Sequence, residues 1–176
     1  YLAGWTDSPS GIASGGFQNT FGSGTNDAFL VKFNSAGVRQ WASYYGGTAD
    51  DRGYGVAIDA SDNVYLAGRT FSSSGIASGG FQNTIGGGLD AFLVKFDATG
   101  NRLWATYYGG TAGEYGQSVR ADASGNVYLA GYSSSNAGIA SGGFDNTFAG
   151  GCDAFLVKFD AAGALLWATY YGGPGY

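Results

Sequence analysis

A chain of 176 residues with 44% hydrophobic and 16% aromatic side chains can bury a core and lacks the composition of a disordered segment. Eight Lys and Arg stand against thirteen Asp and Glu, for a net charge of −5. That balance excludes the basic surface that a nucleic-acid backbone or an anionic membrane demands, and apolar runs such as Ala28 to Val31 are too short to cross a bilayer.

The chain opens on Tyr1-Leu2-Ala3-Gly4, and the same letters return at Tyr65 to Gly68 and Tyr128 to Gly131. This implies an entry in the middle of a repeat, as in an excerpt from a longer array. Next comes a Gly-rich connection, Gly-Ile-Ala-Ser-Gly-Gly-Phe, starting at Gly11, Gly75 and Gly138. Asp-Ala-Phe-Leu-Val-Lys-Phe follows at Asp27, Asp90 and Asp153, spaced by 63 residues both times. Trp-Ala-(Ser/Thr)-Tyr-Tyr-Gly-Gly begins at Trp41, Trp104 and Trp167, at the same spacing. The remaining element, Gly55 to Asp59, is matched by Ser118 to Asp122.

Each unit therefore predicts four strands. Turns at Ala60 to Asp62, Ala123 to Asn126 and Asp97 to Asn101 separate them, rich in the residues that tolerate positive φ. No segment shows helical periodicity, and the β-branched and aromatic content favours strands. In the third strand Phe29, Val31 and Phe33 share one face, and Ala28, Leu30 and Lys32 the other. Both faces are mainly apolar, so each sheet needs a cover on both sides.

Antiparallel sheets stacked around an axis meet that need better than tandem sandwiches or a broad solenoid. The expected fold is all-β: β-propeller blades of about 63 residues, each with four antiparallel strands. Residues 1–50 form a blade lacking its first strand, while 51–113 and 114–176 are complete, for eleven strands in nearly three blades. Fewer than three blades cannot close a ring alone. The expected partners are accordingly further blades of the same parent chain or other copies of it.

Chemistry is sparsely represented. With no His, Ser-His-Asp and Cys-His nucleophiles and His-ligated metals are out of reach. Cys152 aligns with Asn26 and Leu89, so it reads as an incidental loop residue. Lys32, Lys95 and Lys158 recur among apolar neighbours and are expected to snorkel outward from a blade edge. Asp27, Asp90 and Asp153 precede strands and should fix turns through backbone hydrogen bonds. Asp59-x-Ser61-x-Asn63 and its counterparts from Asp97 and Asp122 offer alternate oxygens. Yet Val64 and Thr70 stand where a calcium loop needs Gly and Glu, so hairpin chemistry is the better reading. No metal, cofactor or catalytic residue is expected. The tyrosine pairs at Tyr44, Tyr107 and Tyr170 should pack between blades, leaving the long connections as the binding candidates, through Phe17, Gln18, Phe81, Gln82, Phe144 and Asp145.

Asp-x-Ser-(Gly/Asp)-Asn-Val-Tyr-Leu-Ala-Gly, then Asp-Ala-Phe-Leu-Val-Lys-Phe, then Trp-Ala-Thr-Tyr-Tyr-Gly-Gly resembles the SBBP β-propeller repeat across essentially the whole chain. The resemblance implies the propeller fold and an extracellular or bacterial cell-surface setting, and it supplies no catalytic residues. It points to a non-catalytic surface scaffold with a structural or self-assembling role, as in a surface layer, sheath or filament. The alternative is an adhesive or carbohydrate-binding module that uses the long loops between second and third strands to hold glycans.

Overall fold

The computed structural model describes residues 1–175; Tyr176, assigned above to the third unit, lies outside the described residues. Eleven strands run in chain order: β1 (Leu2–Thr6), β2 (Asp27–Phe33), β3 (Arg39–Tyr45), β4 (Asp51–Ile58), β5 (Val64–Thr70), β6 (Asp90–Phe96), β7 (Arg102–Tyr108), β8 (Glu114–Ala121), β9 (Val127–Ser133), β10 (Asp153–Phe159) and β11 (Leu165–Tyr171). They form three antiparallel sheets, β1-β2-β3, β4-β5-β6-β7 and β8-β9-β10-β11, each drawn from one contiguous stretch of chain. Among the described residues the sheets do not close a ring.

Local chemistry explains the hairpins. At each turn between the first two or last two strands, a leading side-chain oxygen, the amide of Asn34 in one turn and an Asp carboxylate in the others, accepts backbone N–H groups. Asp59 Oδ1 takes Ser61 N (2.9 Å) and Asn63 N (3.0 Å), and Asp97 and Asp122 repeat the arrangement. Gly125 sits there at φ 79°, and Asp62 takes the same left-handed conformation at φ 61°.

The first strand of a unit starts earlier than its apolar letters suggest. β4 begins at Asp51, because Asp51 and Arg52 pair with Thr70 and Arg69, and a bulge between Gly53 and Gly55 then restores the alternation. The second strand likewise runs on past Gly68 to Thr70.

The middle sheet shows why both strand faces are apolar: all seven residues of β6 are buried. On one side Phe92, Val94 and Phe96 meet Leu30, Trp41 and Tyr45 of the first sheet. On the other, Leu93, Trp104 and Tyr108 meet Leu129, Phe155 and Val157 of the third. Tyr45 packs edge-on against Phe96 with ring centroids 5.7 Å apart, and Tyr108 meets Phe159 the same way at 5.8 Å. Burying each such ring contributes on the order of 1.5–3 kcal/mol.

The long connections do more than join strands. Ser14 and Ala42 exchange hydrogen bonds of 2.9 Å, and Tyr44 N donates to Gln18 O. The same bonds form from Ser78 and Gln82 to β7, and from Ser141 and Asp145 to β11. Each connection thus lies along the outer strand of its own sheet and occupies backbone groups that an open edge would leave unpaired.

Candidate functional site

The chemically richest places in the fold are the junctions between sheets. Tyr45 donates its hydroxyl to Ile76 O of the next unit's connection, and Tyr108 donates to Ile139 O in the same way. The other tyrosine of each pair turns back within its own unit. Tyr44, Tyr107 and Tyr170 donate to Ser8 O, Ser72 O and Ser135 O, each at 2.8 Å.

A second contact recurs below them. Trp41 Nε1 (3.1 Å) and Lys32 Nζ (2.9 Å) converge on Ala98 O in a turn of the following unit, and Gly100 lies flat on the Trp41 ring. Trp104 Nε1 (3.1 Å) and Lys95 Nζ (3.3 Å) meet Ala161 O alike, with Gly163 on the Trp104 ring. A Cβ at either glycine would overlap the indole, so the contact depends on its absence.

This corrects the expectation of outward-snorkelling lysines. Lys95 is only 6% exposed, spans two sheets, lies over the Tyr65 ring and sits 3.6 Å from Asp59 Oδ2. The cause is the following sheet, which covers the strand face that a single-sheet reading leaves open to solvent.

Carboxylates meet at the upper end of each junction. Asp27 and Asp51 both crowd the Cα of Gly46, and Asp90 and Glu114 both crowd that of Gly109. All four are buried. Asp27 Oδ2 accepts Gly22 N at 2.7 Å, while its Oδ1 has no hydrogen-bond partner among the described residues. Asp51 accepts from Thr70 Oγ1, Ser72 Oγ (2.8 Å) and Gly47 N (2.7 Å). Asp153 repeats the pattern, accepting Ala149 N through Oδ2. These aspartates do organise turns, and the full burial of Asp27 and Asp90 beside a second acid is what the sequence did not show.

Burial, assisted by the facing acid, pushes Asp27 and Asp90 up to about 6. Burial also raises Asp51. Asp97 goes the other way: its burial is outweighed by hydrogen bonds from Thr99 and Asn101, which hold it at about 2. The fold therefore binds protons at Asp27 and Asp90 more tightly than the unfolded chain does. Their stabilising contribution is complete below about pH 4 and is lost as pH rises through about 6. Urea midpoints measured across that range should fall with rising pH and then level off. Asp27→Asn, which retains Oδ1 as a neutral amide position, should flatten the fall; an unchanged slope would remove Asp27 from this account.

The six predicted surface residues separate into two roles. Gln18 and Gln82 turn inward: each Oε1 accepts the following Gly46 or Gly109 N–H, and each Nε2 donates to Asp27 or Asp90 Oδ2. Asp145, at the same place in the third unit, accepts Thr147 N instead. Phe17 lies 6.4 Å from the Phe96 ring, under the Arg102 guanidinium at 4.5 Å. Phe81 similarly faces Phe159 at 6.3 Å. Phe144 has no facing sheet and is 88% exposed. Cys152 is a half-buried free thiol. No cluster of three or more potential metal-ligating acids or thiols occurs among the described residues.

The first two sheets each hand a Trp, a Lys and a Tyr to the next unit, an all-β stack of repeats. Residues 40–74 match the family model described as "SBBP: Beta-propeller repeat", which supports an SBBP-type repeat at that stretch. The chain is also 26% identical, over 82% of its length, to an uncharacterized WD repeat-containing protein of Acanthamoeba polyphaga mimivirus. It is 30% identical, over 47% of its length, to the regulatory protein FlaEY of Caulobacter vibrioides. It spans 12% of the first relative and 8% of the second.

Proposed function

We propose that this chain is a non-catalytic scaffold of propeller blades, extracellular or on a bacterial cell surface, with a structural or self-assembling role. The observation that carries the reading is the difference between equivalent residues in the last two sheets. Tyr108 and Leu93, covered by the next sheet, are fully buried; Tyr171 and Leu156, their counterparts on the third sheet, are 76% and 37% exposed. Identical letters in identical registers face a partner in one case and solvent in the other. That face is built to receive another repeat, either a further blade of the same chain or a second copy.

Light scattering across a concentration series tests self-association. Growth in mass that Trp167→Ala suppresses is the expected result, and a strictly monomeric, compact particle at every concentration removes self-assembly by this segment. The surface setting rests on the family resemblance. Its check is protease accessibility of the parent protein on intact cells, and complete protection would count against it.

A second reading, glycan adhesion through the long connections, draws support from the exposed Phe144 ring. Saturable binding to a glycan array that Phe81→Ala with Gln82→Ala weakens is its expected result; binding indifferent to that pair removes the connections as the site.

A further inference from the structure

The three units repeat almost letter for letter in their third strands, yet they change chemistry where the first strand begins and the second ends. Trp5, Arg69 and Tyr132 occupy one equivalent position, and Arg52 and Tyr115 another. Asp50 aligns with Gly113, and Tyr54 with Gln117. Core packing cannot require such variety at positions where the surrounding frame is constant.

The structure brings these side chains into one continuous row across all three sheets. The Arg52 guanidinium lies 4.5 Å from the Trp5 ring centre and 3.0 Å from Asp50 Oδ2. The same Asp50 oxygen binds Arg69 Nη2 at 3.1 Å. Arg69 continues the row onto the Tyr115 ring at 5.2 Å, and Tyr115 stacks on Tyr132 with centroids 4.4 Å apart. Trp5 and Tyr132 remain 47% and 37% exposed, while most framework tyrosines are fully buried.

The row carries a local cost. Arg52 and Arg69 are direct cross-strand partners, and like charges so placed repel. A single carboxylate, Asp50, serves both, which leaves one cation in excess in a chain of net charge −5. Among the described residues Arg52 is hydrogen-bonded through Nε alone, to Asp50, and its side chain is more exposed than that of Arg69. Flat, half-exposed rings beside a guanidinium with donor capacity in reserve match the apolar ring face and the carboxylate of an acidic sugar. An acidic peptide would call for a larger cationic excess and offers no flat face to the rings.

We propose that the row Trp5, Arg52, Asp50, Arg69, Tyr115 and Tyr132 is a binding platform for an acidic saccharide, a uronic-acid unit stacking on an exposed ring with its carboxylate directed to the guanidinium pair. The proposal shares its ligand class with the second reading above and places the site on a different surface.

Trp5 is far more exposed than Trp41 or Trp104, each at 5%, and with the half-buried Trp167 replaced (Trp167→Phe) its fluorescence reports on this site. The purified chain is titrated with oligogalacturonate and oligomannuronate, with a neutral cello-oligosaccharide and oligoglutamate in parallel. Saturable quenching by an acidic sugar is expected, weakened on the order of tenfold by Tyr132→Ala and by Arg52→Gln, each removing one contact. Calorimetry of Trp5→Ala, with circular dichroism to show that it folds, gives the same comparison without the fluorophore. The variant Phe81→Ala with Gln82→Ala should bind as the parent does; if it alone loses binding, the long connections hold the sugar and this proposal falls. No binding of either uronate, or equal binding of oligoglutamate, overturns it as well.

Discussion

Trp104→Ala should lower the free energy of unfolding by about 3–5 kcal/mol, as for other large aromatics cut out of a core. The indole is 5% exposed, lies beneath Gly163 and meets the Tyr65 ring edge at 6.2 Å. Its Nε1 holds the turn carbonyl of Ala161 at 3.1 Å. Truncation opens a cavity between two sheets and strands a carbonyl that then depends on Lys95 alone. Against a typical domain stability of about 5–15 kcal/mol, the loss should move the urea midpoint far toward zero. Trp5→Ala, at a half-exposed ring, serves as the comparison and should stay within about 1 kcal/mol. Equal effects at the two positions would refute the junction account.

Gly68→Ala should cost about 3 kcal/mol, the upper part of the usual range for overpacking. A Cβ at Gly68 would overlap the Arg52 carbonyl oxygen and press on the Phe92 ring. The carbonyl belongs to the adjacent strand, so no side-chain rotation relieves the clash. The same addition at Gly88, where nothing lies within 4 Å and φ is not positive, should change stability by less than about 0.5 kcal/mol. Thermal melts of the two variants side by side separate the steric effect from loss of backbone freedom, which both share.

Much of the fold was legible because repeated letters imply repeated geometry. The alternation within Asp-Ala-Phe-Leu-Val-Lys-Phe already called for two covered faces, and the turns announced themselves through Asp, Asn and Gly. What escaped was set by neighbours from outside the local sequence. Lys95 looks like a surface residue until the following sheet lies over it. The connection from Gly75 looks like a loop, since Gly and Ser have no strand preference, yet isolated bridges from Ser78, Gly79 and Gln82 fix it along β7. Asp51 and Arg52 have no apolar alternation, so the extra length of β4 was invisible. The candidate site was the least legible part. Gln18 and Gln82 resemble free polar groups until Gly46 and Gly109 claim them, whereas the row from Trp5 to Tyr132 is assembled from positions that differ between units.

The paired donation from Trp and Lys to one turn carbonyl has a direction. Each sheet gives to the unit after it and receives from the unit before it, so the two sides of a unit are chemically distinct. Such a contact is heterologous, and its repetition has a fixed polarity, like links that engage in one sense only. A ring closes if the rotation per unit divides a full turn, and an open helical filament grows if it does not. The angle between sheets thus decides between a sealed disc and an extending fibre, with the same Trp41–Ala98 and Trp104–Ala161 bonds serving either outcome.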